Sequence, residues 1–471
     1  MTASTDRTRW AALYVLCAGM LMIVLDVTIV NVALPSIQDD LGFSASNLAW
    51  VVNAYLIAFG GLLALAGRAG DLLGQRRVFL AGLSLFTAAS ALCALSPTQE
   101  MLIAARFVQG VGGALTSAVI LGMIVTMFPQ PGEQAKALGV YGFVASAGGS
   151  IGLLAGGVLT DAISWHWIFF INVPIGIATG LLAVRLIAPR PGLGLAAGAD
   201  LPGALLLTAG LMLGVYTILG ITEHGWTSAH TLGLGAVAAA LVGAFLVRQA
   251  RIANPLMPLR LLRSRDVFGA NVVMALLIVG MFGLFFLGAL YLQRILGYSP
   301  LKVGLAFLPS TLVMAVVSLR LSALFPPRRI LVPALLVSTA GLLLFVRVPV
   351  DGAYVRDVLP STLLIGLGMG LATPALMTLA MSGATPADAG LASGLINTTA
   401  QVGGAVGLAV LATLAANRTG ASAAPEALLS GYHLAFVIGA AAMGAATLVA
   451  LWLGSAAAVL RVRDVLAPSR V

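Results

Sequence analysis

Residues 21–35 read LMIVLDVTIVNVALP, an aliphatic run in which Asp26 and Asn31 are the only strongly polar side chains. A carboxylate inside such a run is costly if the run lies in lipid, so the surrounding medium decides the fold. Composition decides the medium. Of 471 residues, 60% are apolar and only 9% charged, with a mean hydropathy of +1.05, whereas a soluble domain carries about 25% charged residues. The chain reads as an all-α polytopic membrane protein. Arg7 and Arg9 ahead of the first apolar run look like the start of a signal peptide. That run contains Asp26 and no small-residue cleavage site, so an uncleaved first span is expected. Cys17 and Cys93 both sit in apolar runs and cannot form a disulfide framework.

Apolar runs close to the roughly 20 residues that cross a bilayer fall at 11–34, 48–67, 78–96, 101–127, 136–160, 166–187, 201–220, 231–249, 267–291, 300–320, 330–349, 358–381, 389–415 and 431–459. Fourteen transmembrane helices are therefore expected. Pro35, Pro97, Pro129 and the Asp200-Leu201-Pro202-Gly203 start punctuate them, an aspartate cap with proline in the first turn being a helix-start signal. With the N-terminus placed in the cytoplasm, only Arg294, Lys302, Arg347, Arg356 and Arg418 of the 25 Lys and Arg fall outside, and Arg106 falls within a span. The rest lie on the cytoplasmic side, which fixes the expected orientation, with both termini inside. The formal charge of +9 is then a topology signal at an anionic leaflet and no sign of a nucleic-acid partner. The run APRPGLGLAAGA, 188–199, and the basic stretch 250–266 isolate two spans from six before and six after. The expected units are 1–187, 188–266 and 267–471.

Three further stretches carry identity. The loop GRAGDLLGQRR holds Gly67, Asp71, Gly74, Arg76 and Arg77. Its glycines permit a sharp turn, Asp71 can accept from a helix N-terminus, and its arginines suit the inner surface. The fourth run opens LIAARFVQGVGGA, with Arg106 inside apolar sequence and Gln109 one turn later on about the same face. The fifth carries GGSIGLLAGG, whose Gly148, Gly152 and Gly156, with Gly157 beside them, make a smooth face that another helix can approach.

Taken in order with LDVTIVNVALP, WHWIFFINVPIG and GLASGLINTTAQVGGAVG, these stretches resemble the major facilitator superfamily in its fourteen-span drug:proton antiporter branch. The resemblance covers nearly the whole chain. It implies a major facilitator fold of two six-helix bundles with two extra central helices between them. Gly67–Arg77 would serve as the conformational-switch loop, and Gly148–Gly157 as a packing and gate segment. One departure stands out: the branch expects Gly-Pro where this chain has Gly152-Leu153. The loop 321–330, where a second copy of the switch loop would sit, keeps only basic residues.

Depth can be read without the family. Asp26 lies about 15 residues, or about 22 Å, above the inner end of the first span, and Arg106, about 5 residues into a descending span, lies at about the same height. Three readings follow: a permanent ion pair, a proton switch in which Asp26 parts from its partner, and a direct contact for a cationic substrate. Raising an aspartate from about 3.9 to near 7 needs about 4 kcal/mol, within reach of full burial. Asp26 and Arg106 are thus the proton-coupling candidates, and Asn31, Asn53, Gln109, Asn397 and Gln401 the substrate-cavity candidates. Asn172 and Asn271 are further amides at membrane depth, suited to interhelical hydrogen bonds, as all seven are. Phe282, Phe285 and Phe286 suit packing or an apolar cavity.

His166, His224, His230 and His433 are scattered, so no metal site is expected, and no nucleophile–base set marks an enzyme. The expected activity is proton-coupled efflux of drug-like amphipathic small molecules by alternating access, as resistance to antibiotics or multiple drugs. The alternatives are export of an endogenous metabolite and proton-linked nutrient symport. No cofactor is expected beyond the proton gradient. The partners are substrate, protons and membrane lipids, and the chain is expected to be a monomer in a bacterial inner membrane.

Overall fold

The computed structural model describes residues 2–192, 194, 200–252, 255–257, 259–320, 325–382, 389–420, 422 and 424–466. The linker 188–199 and the loops 250–266 and 321–330 lie partly outside them. In chain order the helices are α1 (Thr2–Leu41), α2 (Trp50–Leu73), α3 (Gln75–Ala94), α4 (Gln99–Met127), α5 (Pro131–Ala162), α6 (Trp167–Phe170), α7 (Asn172–Leu186), α8 (Leu201–Leu219), α9 (Ile221–His224) and α10 (Ala229–Arg251). There follow α11 (Arg265–Phe282), α12 (Gly288–Leu290), α13 (Pro300–Arg320), α14 (Pro327–Phe345), α15 (Leu359–Met381), α16 (Ala389–Thr419) and α17 (Pro425–Leu466). A chain that meets lipid must satisfy its backbone groups internally, which helices do. Among the described residues twelve helices are long and apolar enough to cross a membrane, or thirteen if Asn47–Leu63 and Leu65–Leu73 count as one bent span. The fifth expected segment falls on α5, of which Ile151–Ala162 is a shorter apolar helix by the same measure.

The punctuation holds at Pro97 and Pro129, which separate α3 from α4 and α4 from α5. Thr98 caps α4 by accepting from the Met101 N–H. It fails at Pro35, because α1 runs on through the proline to Leu41. Proline removes one helix donor and crowds the preceding turn, but a long span packed on its neighbours carries it.

The helices gather in two groups. In the first, α1 packs on α5 and α7, α3 on α4 and α7, and α2 on α4. In the second, α11 packs on α16 and α17, α14 on α15 and α17, and α13 on α15. Two seams join the groups, α2 on α16 and α5 on α13. Small residues make both seams close. A Cβ at Gly157 would come within 2.6 Å of Leu301 Cα, and one at Gly60 within 2.6 Å of Gln401 Cβ. Gly304 of α13 lies directly over the Leu153 carbonyl, so Leu153, where the branch expects proline, is buried inside the α5–α13 seam.

Gly304→Ala should therefore destabilise the purified protein by about 1–3 kcal/mol through overpacking. At Gly394, where a Cβ meets nothing within 4 Å, alanine should instead gain up to about 1 kcal/mol of helix propensity. Thermal midpoints of the two variants against the parent measure the difference.

The α8 and α10 pair is fastened at one end by Asp200. Its Oδ1 accepts from the Gly203 N–H at 2.9 Å, as the sequence cap requires, and from Arg248 Nε at 2.5 Å. Its Oδ2 accepts from Gln249 Nε2 at 2.6 Å. Burial pushes the Asp200 carboxyl up, but these donors outweigh it and hold the group below the usual carboxylate range. α8 lies against both α2 and α16, and Thr413 Oγ1 donates to the Ile218 carbonyl at 3.1 Å. α8 thus borders the α2–α16 seam, with α10 packed on α8.

Candidate functional site

Asp26 and Arg106, 80 residues apart in sequence, meet in the interior of the first helix group. Arg106 Nη1 donates to Asp26 Oδ2 at 2.5 Å, with side-chain exposures of 1% and 0%. α4 packs beside α1 and α2, so the guanidinium also reaches the Val51 carbonyl through Nε at 2.8 Å and Gln109 Oε1 through Nη1 at 2.6 Å. Its planar fork presents donors at fixed angles to several partners at once, a geometry an ammonium does not reproduce. The aromatic rings of Tyr55 and Phe169 lie 4.5 and 5.6 Å from Arg106 Cζ. They add cation–π attraction.

The second carboxylate oxygen has its own donors. Gln109 Nε2 donates to Asp26 Oδ1 at 2.7 Å and to Ser90 Oγ at 2.8 Å, and Asn172 Nδ2 donates to Asp26 Oδ1 at 3.4 Å. Ser90 passes its own hydrogen to the Phe86 carbonyl at 2.8 Å, and the Cys93 thiol donates weakly to Gln109 Oε1 at 3.6 Å. Asp26, Ser90, Gln109 and Asn172 are fully buried. The carboxylate thus accepts from two amides and one cation; moving the cation away would leave it buried without a counter-charge, the setting in which a carboxylate takes up a proton. Around the cluster, Asn172 Oδ1, the Tyr55 hydroxyl and both amide atoms of Asn53 are buried without a partner among the described residues. Such atoms are where internal water is found.

The other sequence candidates scatter. Asn31 turns its Nδ2 back to the Val27 carbonyl of its own helix at 3.1 Å. Asn397 is half-buried on α16, and Gln401 lies on the α16 face that meets Gly60 of α2. Asn271 accepts from Thr399 Oγ1 at 2.8 Å, which ties α11 to α16. Gly148, Gly152 and Gly156 do face another helix, α1, while Gly157 faces α13. In the loop 67–77, Gly74 has φ +96° and turns the chain from α2 into α3. Arg76 Nη2 donates to the Val184 carbonyl of α7 at 2.6 Å, and the Gly194 N–H donates to the Leu72 carbonyl at 3.0 Å. Asp71 is exposed and pairs with Arg68 at 3.9 Å, not with a helix N-terminus. Gly67 meets open space. Phe282 and Phe286 are buried, and Phe285 packs on Phe307 at 5.2 Å between centroids. The histidines are spread over Trp165, the Val348 carbonyl and one stacked pair, His224–His230.

One contact set escaped the sequence. α11 is extended by two π-helical stretches, Gly283–Leu287 and Tyr291–Ile295, about the short α12. They swing Gln293 and Arg294 onto the far end of α1. Gln293 Nε2 donates to the Val32 carbonyl at 2.8 Å, and Arg294 Nη2 to the Pro35 carbonyl and to Gln38 Oε1, each at 3.3 Å, and to the Asp39 carboxylate. Arg294 was legible only as one of five outward cations; π-helical insertions leave no sequence period to read.

The sequence profile of the Major Facilitator Superfamily matches residues 16–408. The puromycin resistance protein of Streptomyces alboniger is 41% identical over 391 residues, which cover 82% of this chain and 77% of that one. The cephamycin export protein of Amycolatopsis lactamdurans is 40% identical over 407 residues, 83% of this chain and 82% of that one. Among solved structures, one of a proton-dependent oligopeptide transporter superposes with a TM-score of 0.67 at 15% identity, over 95% of this chain and 98% of that one, a likeness of fold alone.

Proposed function

The chain belongs to the Major Facilitator Superfamily, is a multi-pass membrane protein and a secondary transporter of small molecules, and we propose that it exports drug-like amphipathic compounds in exchange for protons. The observation that carries the proton step is the wholly buried Asp26–Arg106 pair. The relatives named for puromycin resistance and cephamycin export support export as the direction and antibiotics as the cargo class.

In this reading the units are 1–187 and 267–471, with 188–266 as an inserted pair of spans. The two helix groups rock about the α2–α16 and α5–α13 seams, and substrate binds between them near the midplane. Asp26 takes a proton when the site opens outward, which weakens its hold on Arg106, and returns it inside once the pair reforms. Only the proton gradient drives the cycle, with no cofactor. The protein works as a monomer in a bacterial inner membrane with both termini in the cytoplasm. The Arg294 contacts then hold the outer face shut, and the loop Gly67–Arg77 steadies the inner one.

Efflux of a dye panel into inverted vesicles, with and without a pH gradient, tests the whole proposal; transport indifferent to the gradient would remove it. The outer contacts have their own test. Arg294→Ala should raise the outward-open population about fivefold, the effect of roughly 1 kcal/mol from a partly exposed charge network. Distances between spin labels at the exposed Ser44 and Ser299 report it. An unchanged distance distribution would show that Arg294 does not hold the outer face.

A further inference from the structure

We propose that a hollow at the outer ends of α14 and α15 binds a phosphate group, either the head of a membrane phospholipid or free phosphate. The hollow encloses about 130 Å³ and is lined by Leu344, Arg347, Arg356, Asp357 and Ser361 among others. That is roughly ten times the 10–15 Å³ or so that admits one water. Two of the five cations that the sequence leaves outside converge on it.

The donor set suits an oxyanion. Arg347 is exposed and has no ion-pair partner among the described residues. Arg356 is held by Asp357 through Nε at 3.0 Å and Nη2 at 3.0 Å, which leaves Nη1 without a partner there. The Asp357 carboxylate also accepts from the Ala353 N–H at 2.7 Å, so it is occupied in fixing the Arg356 fork. Asp351 stands near Arg356 but does not line the hollow. Ser361 spends its hydrogen on the Gly341 carbonyl and leaves only acceptor capacity. Two guanidinium edges therefore face one space with a single, already engaged carboxylate. Guanidinium edges of this kind match phosphate oxygens in charge and geometry.

A second feature favours a lipid as the source. Leu336, Leu343 and Leu344 are exposed at 54%, 51% and 42%. A spacing of seven and eight residues puts them on one face of α14. Leu344 is both the last of this stripe and a wall of the hollow, so an acyl chain lying along the stripe would bring its head group to the arginines.

Native mass spectrometry of the detergent-purified protein with added phosphatidylglycerol, with diacylglycerol, and with inorganic phosphate tests the proposal. Phosphatidylglycerol should remain bound and diacylglycerol should not. Arg347→Ala removes a side chain with no ion-pair partner among the described residues and should leave folding intact while weakening retention about tenfold. Arg418→Ala, a third outward cation away from the hollow, should change nothing. Retention of inorganic phosphate lost in Arg347→Ala would support the site with free phosphate as its source. Equal adducts in parent, Arg347→Ala and Arg418→Ala, or diacylglycerol held as well as phosphatidylglycerol, would overturn it.

Discussion

Asp26→Asn is expected to insert in the membrane and to lose uphill efflux entirely. One proton moving across 100 mV supplies about 2.3 kcal/mol, enough to hold about a fiftyfold substrate gradient. An amide has the shape of the carboxylate but no proton to exchange, so that gradient should collapse to unity while passive equilibration of substrate continues. The substitution also strands Arg106, a buried cation whose partner has gone, at a cost of about 3–5 kcal/mol. Loss of transport and loss of stability must therefore be separated. Substrate exchange across vesicles without a gradient does this, because a folded but uncoupled carrier retains it. Accumulation at the parent level in Asp26→Asn would rule out Asp26 as the coupling group.

The second large effect belongs to Arg106. Its Nε and Nη1 serve the Val51 carbonyl, Asp26 and Gln109 together. Arg106→Ala leaves Asp26 buried without its counter-charge, and should lower stability by about 3–5 kcal/mol and stop transport. Arg106→Lys keeps the charge but not the fork, and should reduce coupled efflux about tenfold at near-parent stability. The double variant Asp26→Asn with Arg106→Gln removes both charges. It should regain most of the stability lost in each single variant and none of the transport, a non-additivity expected of groups in contact. Double-variant efflux at the parent rate would make the pair structural only.

Asp26 and Arg106 were legible because a charge in an aliphatic run is conspicuous and because helical rise converts sequence position into depth. Gln109 came with Arg106 by its spacing of three residues on one helix. Asn172 did not stand out, although it donates to Asp26. Seven amides sit at membrane depth, and only the packing of α7 on α1 and α3 brings this one to the carboxylate. Ser90 was silent for the same reason. The glycine face of α5 was visible as spacing, but not its division between α1 for Gly156 and α13 for Gly157. The Arg294 contacts rest on π-helical stretches that no residue pattern marks, and on a helix that continues past Pro35.

Coupled transport turns on one proton at Asp26. Its most direct measurement is proton release when substrate is added to the purified transporter in weakly buffered detergent, at a pH where a free carboxylate would already be ionised. Substrate binding should release up to one proton per molecule from the parent protein and none from Asp26→Asn, with binding retained in both. Equal release from the two proteins would place the coupled proton elsewhere and contradict the account.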